Sequence, residues 1–153
     1  MKPMVCQGWR IYFHPLFFQQ WQDLIKQVEH LKLKLEGDRF LKHPEVKLLK
    51  AIDVGIREKI PLDPMAAYFR LQGPLRLFNR LKKMGLPPRY RLFFRVFPQE
   101  KAIIILWLGF PRKAGDQKDC YRVFEKMLKN NQFPPTMEEL LNLQNSEPSL
   151  DQI

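Results

Sequence analysis

The sequence predicts an α+β fold, in which an N-terminal helical hairpin packs on a twisted antiparallel β-sheet and a C-terminal helix follows. Three observations support this. Two early stretches repeat apolar residues at helical spacing. Three later stretches, between Leu75 and Leu108, alternate or run apolar as strands do. A last amphipathic segment led by Tyr121 ends at Phe133–Pro134–Pro135.

The elements follow in order. Trp9 to Phe13 is short, aromatic and β-branched, and reads as a strand. His14–Pro15 opens a helix, since a first helical turn tolerates proline. Phe17, Trp21, Leu24, Val28, Leu31 and Leu35 form its stripe, and Gly37 ends it. A second helix starts near His43–Pro44, with Val46, Leu49, Ile52, Ile56 and Ile60 on one side and Pro61 as its stop. Leu75 to Lys82 alternates, with Arg76, Phe78, Arg80 and Lys82 on one face, and Gly85–Leu86–Pro87–Pro88 breaks it. Arg89 to Phe97 alternates more sharply. Tyr90, Leu92, Phe94 and Val96 face one way, and Arg89, Arg91, Phe93, Arg95 and Phe97 the other. Ala102 to Leu108 is apolar throughout, as befits a central strand. Asp119 to Asn130 reads as a helix with Tyr121, Phe124 and Leu128 on one face, and Met137 to Leu143 as a short acidic helix. The expected organisation is a single domain over residues 1–135, with an acidic short helix and tail over 136–153.

Charge narrows the function. The 153 residues carry a formal net charge of +10. A balance of that kind favours a polyanionic partner. Between Asp63 and Glu100 there is no acid, yet the stretch holds Arg70, Arg76, Arg80, Lys82, Lys83, Arg89, Arg91 and Arg95. Thr136 to Ile153 is the reverse, with Glu138, Glu139, Glu147 and Asp151 and no Lys or Arg. The longest apolar run is too short to span a bilayer, so no membrane role is expected. Cys6 and Cys120 form no CxxC, which fits free thiols in a cytoplasmic protein.

If the helices cover one sheet face, the other presents Arg76, Arg80, Lys82, Arg89, Arg91 and Arg95, with Phe78 and Phe93 interleaved. Cations hold phosphates and aromatics stack on splayed bases, a combination suited to single-stranded RNA. Lys113 and Lys118, in the loop after the apolar strand, extend this expected RNA-binding set. Cleavage through the 2′-hydroxyl needs proton transfer and a stabilised phosphate. His14, His30 and His43 read as structural or surface residues, and no metal ligands or cofactor signature stand at usable spacing. Arg and Lys remain for charge, and Tyr121 remains as a hydroxyl near the loop of Arg112.

Four segments carry a resemblance. GWRIYFHPLF (Gly8–Phe17), RYRLFFR (Arg89–Arg95), KAIIILW (Lys101–Trp107) and DCYRVFEKMLK (Asp119–Lys129) resemble, in the same order, the YhaV family of type II toxins, within the RelE/ParE-like superfamily. The resemblance implies a RelE-like domain and a ribosome-dependent mRNA endoribonuclease that stops translation and growth, which the residues themselves expect to be metal-free. It implies a cognate antitoxin of the PrlF-like, swapped-hairpin DNA-binding type, with operator DNA met only through that complex; charge complementarity expects that antitoxin to be acidic where it meets residues 70–95. The site roles it implies fall on Arg91, Arg112, Tyr121, Lys82 and Arg80. Arg91 and Arg112 stabilise the phosphate, Tyr121 orients or activates the 2′-hydroxyl, and Arg80 or Lys82 tunes protons and charge. Arg80 stands where the family has a Lys, and arginine does not deprotonate in proteins. Two other functions use the same basic face: a non-hydrolytic inhibitor and a plain RNA-binding module.

Overall fold

The computed structural model describes residues 3–110 and 119–146. Its frame is a five-stranded sheet of order β1-β2-β5-β4-β3. β1 (Met4–Cys6) and β2 (Trp9–Phe13) form a hairpin whose turn residues Gln7 and Gly8 both take positive φ, the geometry of a tight hairpin turn. β3 (Asn79–Leu81) lies at the other edge, beside β4 (Arg91–Phe97), and β5 (Ala102–Gly109) is central. No helix among the described residues is long and apolar enough to cross a membrane.

The helical half begins at α1 (Pro15–Lys34). His14 precedes it in extended conformation and accepts a hydrogen bond from the Leu16 N–H, while Pro15 occupies the first turn. A short α2 (Gly37–Leu41) follows, then α3 (Pro44–Val54), capped by His43 in the same way. α3 runs through a π-helical turn at Gly55–Lys59 into α4 (Ile60–Leu62). The chain returns through α5 (Asp119–Lys129) and α6 (Met137–Ser146).

The sheet has a core on each face. On the first, Ile11, Phe13, Leu92, Phe94, Ile103 and Ile105 meet Phe17 and Leu24 of α1 and Ile52 of α3. On the second, Tyr12, Phe93, Ile104 and Leu106 meet Phe124 of α5, Phe133 and Leu140 of α6. β5 is buried on both faces, which accounts for its unbroken apolar run.

This is the α+β architecture that the patterning predicts, with three corrections. The sheet is mixed rather than antiparallel, because β2 pairs β5 in parallel, and β1 adds an unforeseen edge strand. The predicted strand Leu75–Lys82 contracts to Asn79–Leu81. Gly73, at positive φ, and Pro74, which lacks an N–H, turn Gly73–Leu75 into a 3₁₀ helix instead. The second sheet face is not open, since α5 and α6 cover it.

Candidate active site

Alternation along β4 decides which side chains reach the second face. Arg91, Phe93 and Arg95 point there, as the sequence implies, while Leu92 and Phe94 enter the first core. Arg91 opens β4 and pairs in register with Gly109 at the end of β5. Gly109 lets α5 come close. A Cβ there would stand 3.0 Å from the Cβ of Cys120 and 3.0 Å from the Trp107 ring. The sulfur of Cys120 donates to the Arg89 carbonyl at 3.4 Å, so the first turn of α5 is fastened to the strand end. Tyr121, the next residue, is thereby set against Arg91.

The contacts of Tyr121 divide its two ends. Its ring meets Phe93 edge-on, with centroids 5.8 Å apart. Its hydroxyl oxygen accepts from Arg91 Nε at 2.9 Å and from Arg80 Nε at 3.1 Å. Arg91 Nη1 also donates to the Tyr90 carbonyl at 2.8 Å, and Arg80 Nη1 to that of Tyr68 at 2.9 Å. Backbone carbonyls thus hold both guanidinium groups. With two donors on its oxygen, the phenol keeps one hydrogen-bonding capacity, donation of its own proton.

Arg91 and Tyr121 of this cluster wall a cleft of about 740 Å³. Lys82, Lys83, Arg89 and Arg91 line it together with Tyr121, and among the described residues no acid does. The loop forming its rim is strained: Lys83, Met84 and Arg89 take positive φ although none is glycine. Such a cleft suits an anion, and its proton-carrying groups are the lysine amines and the phenol.

The predicted residues separate into four groups. Arg80, Arg91 and Tyr121 converge, and Lys82 and Arg89 line the same cleft. Arg112, Lys113 and Lys118 lie outside the described residues. Arg76 is exposed and folds back on the Gly73 carbonyl at 3.4 Å, off the strand. Phe78 and Phe93 are corrections. Both are buried against Phe124, Phe93 stacked at 4.2 Å and Phe78 edge-on at 5.4 Å, so neither face can take a base. Arg95 is also turned inward. It sits over the rings of Phe78 and Phe97 and donates to the Pro135 carbonyl.

The histidines keep the structural or surface roles read for them. His14 and His43 cap helices and His30 is exposed. Burial lowers the pKa of His14 to about 4, against a smaller opposing effect of its hydrogen bond to Gln132. Among the described residues, no group of three His, Cys, Asp or Glu side chains is placed to hold a metal. Sequence reading missed Gly109 and Cys120, which set the docking of α5. The only trace was a glycine closing an apolar strand ten residues before a helix.

Residues 11–145 match the family described as toxin with endonuclease activity, of toxin-antitoxin system. The chain is 35% identical over 146 residues to Toxin YhaV of Escherichia coli O6:H1 (strain CFT073), covering 90% of this chain and 93% of that protein. The same figures hold for Ribonuclease toxin YhaV of Escherichia coli strain K12. Among solved structures, the toxin–antitoxin complex RelBE2 from Mycobacterium tuberculosis is similar over 74% of this chain and 100% of that one, at 14% identity and a TM-score of 0.44.

Proposed function

The chain belongs to the YhaV family of endonuclease toxins of toxin–antitoxin systems, and from that membership we propose that it cleaves messenger RNA on the ribosome, without a metal, in the cleft of Arg91, Lys82 and Tyr121, with Arg80 bonded to the Tyr121 hydroxyl. It is a ribonuclease toxin, and its partner is an antitoxin. The observation that carries the assignment of the site is the Tyr121 hydroxyl accepting from both Arg91 and Arg80 at the wall of a cleft lined by cations.

In the reaction, the 2′-oxygen loses its proton and attacks the adjacent phosphorus. The bond to the 5′-oxygen breaks and that oxygen gains a proton, leaving a 2′,3′-cyclic phosphate and a 5′-hydroxyl. Charge building on the phosphate oxygens is met by fixed guanidinium groups, an arrangement that needs no reorganisation as the reaction proceeds. Arg91 and Arg80 take that role, joined by Arg112 as the family resemblance implies. Arginine cannot exchange protons here, so proton transfer falls to Lys82 and to the phenol of Tyr121. Among the described residues the cleft offers a divalent ion no carboxylate or imidazole and surrounds it with like charge, which favours a metal-free route.

The antitoxin follows from the same surface. An acidic segment that enters the cleft blocks the site and is guided there by opposite potential. The PrlF-like type, with operator DNA bound only through the complex, rests on the family resemblance. Messenger RNA and antitoxin both place the protein in the cytoplasm.

The test is induced expression of wild type and Arg91→Ala, with mapping of RNA ends, and in-vitro cleavage with and without EDTA. New 5′-hydroxyl ends are expected from wild type alone, and chelation leaves them unchanged. Full toxicity of Arg91→Ala removes Arg91 from the site. Activity that EDTA abolishes and Mg²⁺ restores overturns the metal-free route.

A further inference from the structure

Cations hold phosphates, but a single strand is gripped firmly only when a base also stacks on an aromatic ring. Phe78 and Phe93, where the sequence places such rings, are buried. We propose that Tyr68 is the stacking platform, taking the nucleobase next to the scissile phosphate. The proposal rests on the active site assigned above.

Three observations support it. The first is attachment. The Tyr68 carbonyl accepts from Arg80 Nη1 at 2.9 Å, and Nε of the same guanidinium reaches the Tyr121 hydroxyl at 3.1 Å. One planar group therefore spans from the Tyr68 backbone to the reacting centre. The second is rigidity. Tyr68 is the middle residue of the 3₁₀ turn Ala67–Phe69, and its ring leans on that of Phe69, with centroids 4.5 Å apart. Phe69 is itself fully buried and packed edge-on against Phe94 in the first core. The third is exposure. Tyr68 remains 56% exposed. A tyrosine backed by a core ring and open on its outer side is a preformed surface for a base, which costs little conformational entropy to use.

The site also has a chemical need for such a residue. Lys82, Lys83, Arg89 and Arg91 recognise phosphate in any sequence context and leave the orientation of the nucleoside unfixed. A stacked neighbouring base adds affinity to the bound strand and fixes its register in the cleft.

The experiment compares Tyr68→Ala, Tyr68→Phe and Tyr68→Trp in the full chain freed from its antitoxin. Substrates are translated messenger RNA and the same RNA with an abasic nucleotide beside the cut. Tyr68→Ala is expected to raise KM about tenfold while largely sparing kcat, with Phe and Trp restoring wild-type values. The abasic substrate should penalise wild type by a similar factor and Tyr68→Ala not at all. A Tyr68→Ala KM within about twofold of wild type overturns the platform, and so does a loss in Tyr68→Phe as large as in Tyr68→Ala. Normal cleavage by Tyr68→Ala with lost neutralisation assigns the ring to the antitoxin instead and overturns the proposal. Arg91→Ala runs alongside. If it is active, the site itself is wrong; if it is inactive while Tyr68→Ala behaves as wild type, only the platform fails.

Discussion

Nε of Arg91 lies 2.9 Å from the hydroxyl oxygen of Tyr121, across a gap of thirty residues in the chain. The contact joins the first residue of β4 to the first turn of α5, and Arg80 completes it from β3. Removing the hydroxyl alone tests it. Tyr121→Phe keeps the ring against Phe93 and deletes the acceptor of both guanidinium groups. Cleavage should fall by about 10²–10³ in kcat, as when one positioned proton-transfer group is lost. Stability should change by no more than about 1 kcal/mol, because both half-buried arginines can turn to water. Single-turnover cleavage and a urea titration measure the two quantities. Unchanged kcat would confine Tyr121 to packing.

A second prediction concerns pH. The partners of His14 require a neutral ring: Nδ1 accepts from the Leu16 N–H at 3.1 Å, and Nε2 lies 3.1 Å from the Gln132 carbonyl, to which it donates. Burial lowers its pKa to about 4, below the 6.5 of an unfolded chain. Between these values the unfolded chain binds the extra proton. The contribution of His14 is therefore intact above pH 6.5 and is lost as pH falls to about 4, by about 3 kcal/mol in all. His14→Asn keeps a helix cap without a titrating ring, so urea midpoints across this window should slope less for the variant. Identical slopes would place the acid sensitivity elsewhere.

Both sites show what patterning can and cannot reveal. Alternation in Arg89–Phe97 put Arg91 and Phe93 on one face, and that is where they are, because a strand leaves a side chain only two directions. Helix starts at Pro15 and Pro44 were legible from the prolines and the histidines before them. Whether that face is open was not legible. Cover depends on where α5 and α6 dock, which is a matter of long-range packing, and Phe124 decided it by stacking on Phe93. The parallel pairing of β2 with β5 is equally non-local. Tyr68 was invisible for the same reason: the Arg80 bridge and the backing of its ring by Phe69 arise only in the fold.

Arg95 supplies a third prediction. Its guanidinium carbon lies 4.8 Å from the Phe97 ring centre and 5.4 Å from that of Phe78, and the group donates to the Pro135 carbonyl. Desolvation lowers its pKa, the mark of a cation held partly inside. It works as a clamp on the segment between α5 and α6, not as a phosphate contact. Arg95→Ala should cost about 2 kcal/mol through lost cation–π and charged hydrogen bonds. Cleavage per folded molecule should be unaffected. A variant that melts like wild type but binds RNA weakly would return Arg95 to the interface.

The last prediction tests how the site is assembled. Arg91 reaches Tyr121 only because α5 begins hard against the end of β5, and Gly109 creates that space. In Gly109→Ala the new methyl meets the Cys120 Cβ and the Trp107 ring, each at 3.0 Å, so one of them must yield by a few tenths of an ångström. Trp107 is stacked on Phe93 and held in the backbone ladder of the sheet, whereas Cys120 sits in the first turn of a helix, outside that ladder. The helix is therefore the partner that moves, and Tyr121 moves with it. Small misplacements of a reacting group cost far more in rate than in stability, so kcat should drop about tenfold while the urea midpoint shifts little. Gly109→Ser, slightly larger at the same point, should be worse on both counts. If Gly109→Ala cleaves as wild type does, the close approach of strand and helix serves the core alone, and the Arg91–Tyr121 geometry does not depend on it.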